Sequence, residues 1–184
     1  SAAHIIAASG REHIAIDPFQ ANYQHIGLEN IKKLGFEDKL IFKADFSHNV
    51  LPELVKEGRN FDFIFIDGDH SFPGAFIDFY YTDILLNVNG FVAFHDTWMR
   101  SIRLIEKFIE KNCKNYKKLN IPIKTMVIFQ KIDKTQRDGM SFNEFYTFRS
   151  YFKYNLIMWM TTGEKTLLKK IMINLKNWIK KIKK

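Results

Sequence analysis

Short apolar runs alternate with stretches of helical spacing from the amino terminus to about residue 131, the pattern of β-α-β units and a mostly parallel sheet. His13 to Ile16 predicts a strand that ends at Asp17-Pro18. Tyr23, Ile26, Ile31 and Leu34 then follow the helical period, with Gly35 as a left-handed stop. Leu40 to Lys43 predicts the next strand, and a short helix is expected to open near Pro52 and close at Gly58. Phe61 to Ile66 is apolar enough that burial on both faces is expected. A helix over Phe72 to Leu86, a turn at Asn89-Gly90 and a strand over Phe91 to Phe94 follow. Ile102, Ile105, Glu106 and Ile109 predict another helix, and Thr125 to Gln130 a last strand, paired with a short one near Tyr116 to Leu119. No internal repeat is visible.

After Asp133 the character changes, which divides the chain into an α/β domain over 1–133 and a helical extension over 134–184. Ser141-Phe142-Asn143-Glu144 matches a capping box, opening a helix rich in aromatics (Phe142, Phe145, Tyr146, Phe148, Tyr151, Phe152). Beyond Thr161-Thr162-Gly163, the residues Leu168, Ile171, Met172, Leu175, Trp178, Ile179 and Ile182 form one stripe of an amphipathic helix.

Charge sharpens this division. The formal net charge is +8, and the eight lysines between Lys165 and Lys184 carry the whole excess. A nucleic-acid reader usually bears its basic patch on the folded body, so no nucleic-acid partner is expected. The basic helix is expected to pack on the domain or on a second copy of the chain; the alternative is peripheral contact with an anionic membrane. No apolar run approaches the ~18 residues of a membrane span, Leu156 to Met160 being only a short patch. The lone Cys113 has no intrachain disulfide partner, and Ser1-Ala2-Ala3-His4 lacks the features of a signal peptide, so a cytoplasmic location is expected.

In an open parallel sheet, ligands sit beyond the carboxyl ends of the strands. Asp17, Asp45, Asp67 and the pair His95-Asp96 each follow one strand. Any one of them is an ordinary turn residue; their recurrence at the same end is what points to a site. The stretch Ile66-Asp67-Gly68-Asp69-His70-Ser71, with His95-Asp96-Thr97 further on, resembles the S-adenosylmethionine-dependent small-molecule O-methyltransferases that carry D-G-D-H and H-D-T elements. The resemblance covers roughly His13 to Lys131 and implies a Rossmann-like, doubly wound fold, with a sugar or other hydroxylated metabolite as acceptor.

Carried over residue by residue, the resemblance makes Asp17 the acid on the cofactor ribose and places Asp45 and Phe46 beside its adenine, with Asp67 also bordering the cofactor. It makes Asp67, His95 and Asp96 the ligands of a divalent cation, Mg²⁺ or, because an imidazole is among them, Mn²⁺. His70 stands where catechol-type enzymes of this fold place a lysine base. The competing readings are turn formation by Asp17, a solvated loop acid at Asp45, helix capping by Asp96 or Thr97, and a structural hydrogen bond from His70.

The resemblance also implies a first strand and a glycine-rich turn ahead of Ser1-to-Ser9, so the chain reads as truncated there and is expected to bind the cofactor weakly. A nicotinamide-dependent oxidoreductase and a non-catalytic membrane-surface or partner-binding module are the alternatives. The first shares an acid at the close of the second strand; the second rests on the absent loop.

Overall fold

The computed structural model describes residues 2–135 and residue 160. The chain divides into two units, Ser1–Met140 and Ser141–Lys184, and the elements given below belong to the first. The predicted aromatic-rich and basic helices lie outside the described residues, Met160 apart.

In chain order the elements are α1 (Ala2–Ser9), β1 (His13–Ile16), a 3-10 turn (Gln20–Tyr23), α2 (Ile26–Lys33), a second 3-10 turn (Glu37–Lys39), β2 (Leu40–Lys43), α3 (Ser47–Lys56), β3 (Phe61–Ile66), α4 (Phe72–Leu85), β4 (Leu86–Phe94), α5 (Arg100–Asn112), β5 (Tyr116–Lys118) and β6 (Val127–Lys131). Parallel pairing joins β1 to β2 and β3 to β4, while β6 runs antiparallel to both β4 and β5. The result is an α/β, Rossmann-like architecture with mixed pairing, parallel where helices cross over and antiparallel at the β5 edge. The strands form a two-stranded sheet and a four-stranded sheet of order β3-β4-β6-β5.

Helix packing bridges the two sheets. Val50, Leu51 and Leu54 fall on one side of α3 and, with Leu85, receive Ile14 and Ile16 from β1 and Phe61 and Ile64 from β3. Each such side chain contributes roughly 1.5–3 kcal/mol on burial. The larger cluster sets Ala75 and Phe79 of α4 and Ile102, Ile105 and Ile109 of α5 against Ile66, Val92, Phe94, Val127 and Phe129. These α5 positions are the ones its helical spacing predicts. Gly58, at φ +69°, closes α3 as expected, with the Arg59 N–H donating to Leu54 O at 3.0 Å.

Several expectations are corrected. The helix expected near Pro52 begins at Ser47, since its apolar face starts at Val50, and Pro52 lies inside it. Tyr23 is outside α2, because Gln24 and His25 both turn left-handed (φ 53° and 55°) and break the period. Of the predicted α2 stripe only Ile31 is buried; Ile26 and Leu34 are exposed. β3 is not buried on both faces: Asp62 and Phe63 are exposed, β3 being the terminal strand of its sheet.

The turn expected at Asn89-Gly90 is a bulge inside β4 instead. Register jumps from Phe61↔Leu86 to Phe63↔Phe91, and Asn89 takes φ +71°. A Cβ at Gly90 would come within 2.9 Å of Asn87 O and 3.0 Å of Asp62 O, so the close strand approach requires glycine there.

Candidate active site at the carboxyl ends of the strands

The loops that leave β1 and β2 use their acids locally. Asp17 Oδ1 accepts from the Phe19 N–H at 2.8 Å and Oδ2 from Gln20 Nε2 at 2.6 Å, which closes the turn after β1. Asp45 Oδ1 accepts from Asn49 Nδ2 (2.9 Å) and the Phe46 N–H (2.7 Å). These two bonds, Asn49 first, hold the Asp45 carboxyl below the usual carboxylate range. Phe46 is exposed, stacks on His48 at 5.3 Å and meets Phe19 edge-on at 5.7 Å. The expected cofactor residues Asp17, Asp45 and Phe46 thus lie at one end of the small sheet, beside exposed aromatic surface.

The loops that leave β3 and β4 converge. Ligand atoms of Asp67, His95 and Asp96 all lie within 4.8 Å of one another. His95 Nδ1 is 3.0 Å from Asp67 Oδ1 and 3.2 Å from Asp96 Oδ1. His70 Nε2 lies 3.1 Å from Asp96 Oδ2 and 4.0 Å from Asp67 Oδ1. The 3.1 Å approach lacks hydrogen-bond angles, so this buried nitrogen has no hydrogen-bond partner among the described residues. All four residues named for the cation and the base are therefore brought together. Two carboxylates and an imidazole suit a divalent cation with borderline preference for nitrogen.

The local backbone explains the convergence. Asp96 sits at φ +53°, a left-handed conformation that Asp tolerates better than most residues. Thr97 anchors the next step: its N–H donates to Thr125 O (3.2 Å) and its buried hydroxyl to Lys124 O (3.0 Å), while Arg103 Nε donates to Thr97 O (2.8 Å). On the β3 side, Asp69 accepts from the Ser71 N–H and hydroxyl, which lower its pKa, and the Ser71 hydroxyl accepts from the Gly74 N–H to cap α4. Asp69 is thus structural. A Cβ at Gly74 would lie 2.2 Å from Asp69 Oδ2, so the loop folds over a residue without a side chain.

Three neighbours of the site escape sequence reasoning. Trp98 Nε1 donates to Asp96 Oδ1 at 2.9 Å while the residue is 62% exposed. Ser101, in the first turn of α5, donates to His70 O at 2.6 Å and fixes the loop that carries the imidazole. Asp78 of α4 is buried beneath the same loop. Only the H-D-T-W adjacency offered a signal for Trp98; the other two act across elements. Cys113 is no candidate nucleophile, because burial, with Asp83 nearby, pushes its thiol up to about 12.

Comparison with known proteins adds to this geometry. A family model described as O-methyltransferase matches residues 2–143. Caffeoyl-CoA O-methyltransferase 1 of Eucalyptus globulus is 31% identical over 93 residues, covering 48% of this chain and 36% of that protein. The caffeoyl-CoA O-methyltransferase of Medicago sativa is 32% identical over 97 residues, again 48% of this chain and 36% of that one. A methyltransferase from Geobacter sulfurreducens shares the fold, with TM-score 0.54 and 16% identity over 66% of this chain and 59% of that one. The chain thus spans little more than a third of the length of these two plant proteins.

Proposed function

The chain belongs to the O-methyltransferase family, matched over residues 2–143, and on that premise we propose that it serves transfer of a methyl group from S-adenosylmethionine to a hydroxyl of a small molecule, in a cation-assisted reaction. The observation that carries this reading is the meeting of Asp67, His95 and Asp96 within 4.8 Å, with His70 Nε2 3.1 Å from Asp96 Oδ2 and free of hydrogen bonds among the described residues. Family membership favours this reading over the nicotinamide-dependent and non-catalytic alternatives.

Asp67, His95 and Asp96 would hold the cation, and Mn²⁺ suits this donor set at least as well as Mg²⁺. A bound divalent cation supplies acidity to a coordinated hydroxyl and fixes its oxygen. His70 Nε2 is the base, an imidazole nitrogen with no hydrogen-bond partner among the described residues to give up. Asp17 and Asp45 would hold the adenosine end. Each carboxylate oxygen has two lone pairs, so the turn bonds they already accept leave capacity for the ribose hydroxyls and the adenine amine. The sulfonium methyl is already activated, so alignment and proton removal are the tasks left to these residues.

The acceptor class is a sugar or other hydroxylated small molecule. The test is calorimetry of S-adenosylhomocysteine and of Mn²⁺ on the full chain, with turnover assayed on such acceptors in the presence and absence of chelator. Cofactor binding with chelator-sensitive turnover supports the reading; undiminished turnover in excess chelator removes the cation from it.

A further inference from the structure

α4 carries a carboxylate that neither its own helix nor the proposed chemistry employs. Asp78 is only 7% exposed and sits among the buried Ala75, Phe79 and Thr82 of its helix. Its surroundings come from two different loops. The Ser47 hydroxyl, at the start of α3 and two residues from Asp45, faces the carboxyl and stabilises its charged form. On the other side lies Gly68, where an added Cβ would stand 3.9 Å from Asp78 Oδ2. Oδ1 is buried and has no hydrogen-bond partner among the described residues. Burial pushes the Asp78 carboxyl above its ordinary range against the pull of Ser47, with Asp69 adding to the rise and His48 opposing it.

An acid buried in mid-helix with one oxygen unmet is costly, and an apolar side chain would fill the place at no such cost. Asp78 offers what an apolar residue could not: a carboxylate that lies near both Ser47, at the start of α3, and Gly68, in the loop after β3. We infer that Asp78 is a positioning residue that couples these loops, holding the one with Asp45 and Phe46 at a fixed spacing from the one with Asp67 and His70. The unmet Oδ1 is the acceptor for a donor that the filled cleft brings to it, so occupation of one end of the cleft favours occupation of the other. This rests on the methyl-transfer reading for the identity of the two occupants.

Coupling of this kind is reciprocal and measurable without turnover. S-adenosylhomocysteine affinity is titrated by calorimetry on the full chain with and without Mn²⁺, and Mn²⁺ affinity with and without S-adenosylhomocysteine. The parent protein is expected to show each ligand tightening the other by about fivefold or more. Asp78→Ala is expected to bring that factor to near one, and Asp78→Asn, which keeps the shape and an acceptor, to restore most of it. Ser47→Ala removes the other half of the bridge without opening the core and is expected to act like Asp78→Ala, which covers failure of the latter to fold. A lowered melting temperature with unchanged coupling would reduce Asp78 to a packing role and overturn the inference, as would a parent protein that binds both ligands independently. A parent protein that binds neither ligand would instead sink the methyl-transfer reading, and this inference with it.

Discussion

The two pairs of strand-end loops treat their acids differently. After β1 and β2, both oxygens of Asp17 and one of Asp45 are already met by N–H groups of their own loops. After β3 and β4, Asp67, His95, Asp96 and His70 face one another across 3.0–4.0 Å, and a buried imidazole nitrogen is left without a hydrogen-bond partner among the described residues. The first arrangement is tied into its own turns and accepts further donors at its spare lone pairs and at Asp45 Oδ2. The second is short of positive charge, which is what a cation supplies. Acids tied into their own turns suit neutral hydroxyls and amines at the lone pairs left over, whereas carboxylates gathered around imidazoles suit an ion.

The largest test of that contrast is Asp96→Asn, since asparagine tolerates the left-handed backbone while the charge is lost. Cation affinity and turnover are expected to fall together by on the order of 100-fold, with S-adenosylhomocysteine affinity on its own nearly unchanged. Calorimetry paired with a methyl-transfer assay reads both, and turnover surviving loss of the cation would break the comparison. Next in size, His70→Ala should keep both ligands and lower turnover by about 100-fold. Part of that loss should return at higher pH as hydroxide replaces the base, and a flat pH response would assign His70 to structure.

In the other pair of loops, Asp17→Asn preserves an acceptor for the Phe19 N–H but removes the charge. Cofactor affinity should drop by roughly tenfold, the loss of a charge-assisted bond, while thermal stability moves little. Unchanged affinity would make Asp17 a turn former only.

The smallest effect concerns Asp78, whose folded pKa lies above its unfolded value. Its cost to stability is therefore absent below the unfolded pKa, grows as pH rises toward the folded pKa and is complete beyond it. Asp78→Asn should give a small rise in melting temperature at pH 7 that vanishes in acid; a fall at neutral pH would contradict the sign.

Much of this was legible in the chain itself, and the reasons are local. Ile102, Ile105 and Ile109 announce α5 because a helix repeats its buried face every three or four residues, and all three are buried. Asp67, His95 and Asp96 could be grouped because parallel strands bring their carboxyl ends to one side. What stayed hidden depends on partners far away in sequence. The β4 bulge exists because β3 approaches Gly90 closely, and no residue within β4 records that. Asp83 is another case. Its buried carboxylate accepts from Tyr116 at 3.0 Å and Thr135 at 2.6 Å, and Lys131 Nζ donates to Asp83 O at 2.7 Å. Lys131 reads in sequence as a polar end to the last strand, and only the fold places its ammonium group over the last carbonyls of α4, where a positive charge is favoured.

Trp98 would turn the proposed cation site into its own optical gauge. Its indole N–H donates to Asp96 Oδ1, and 62% of the residue faces solvent. An ion drawing on that oxygen would alter the indole's hydrogen bond and hence its emission. The chain has three tryptophans, at positions 98, 159 and 178, so Trp159→Phe with Trp178→Phe leaves a single lamp at the mouth of the cleft. Occupancy could then be followed in real time, in any mixture of candidate acceptors, with neither radiolabel nor product assay.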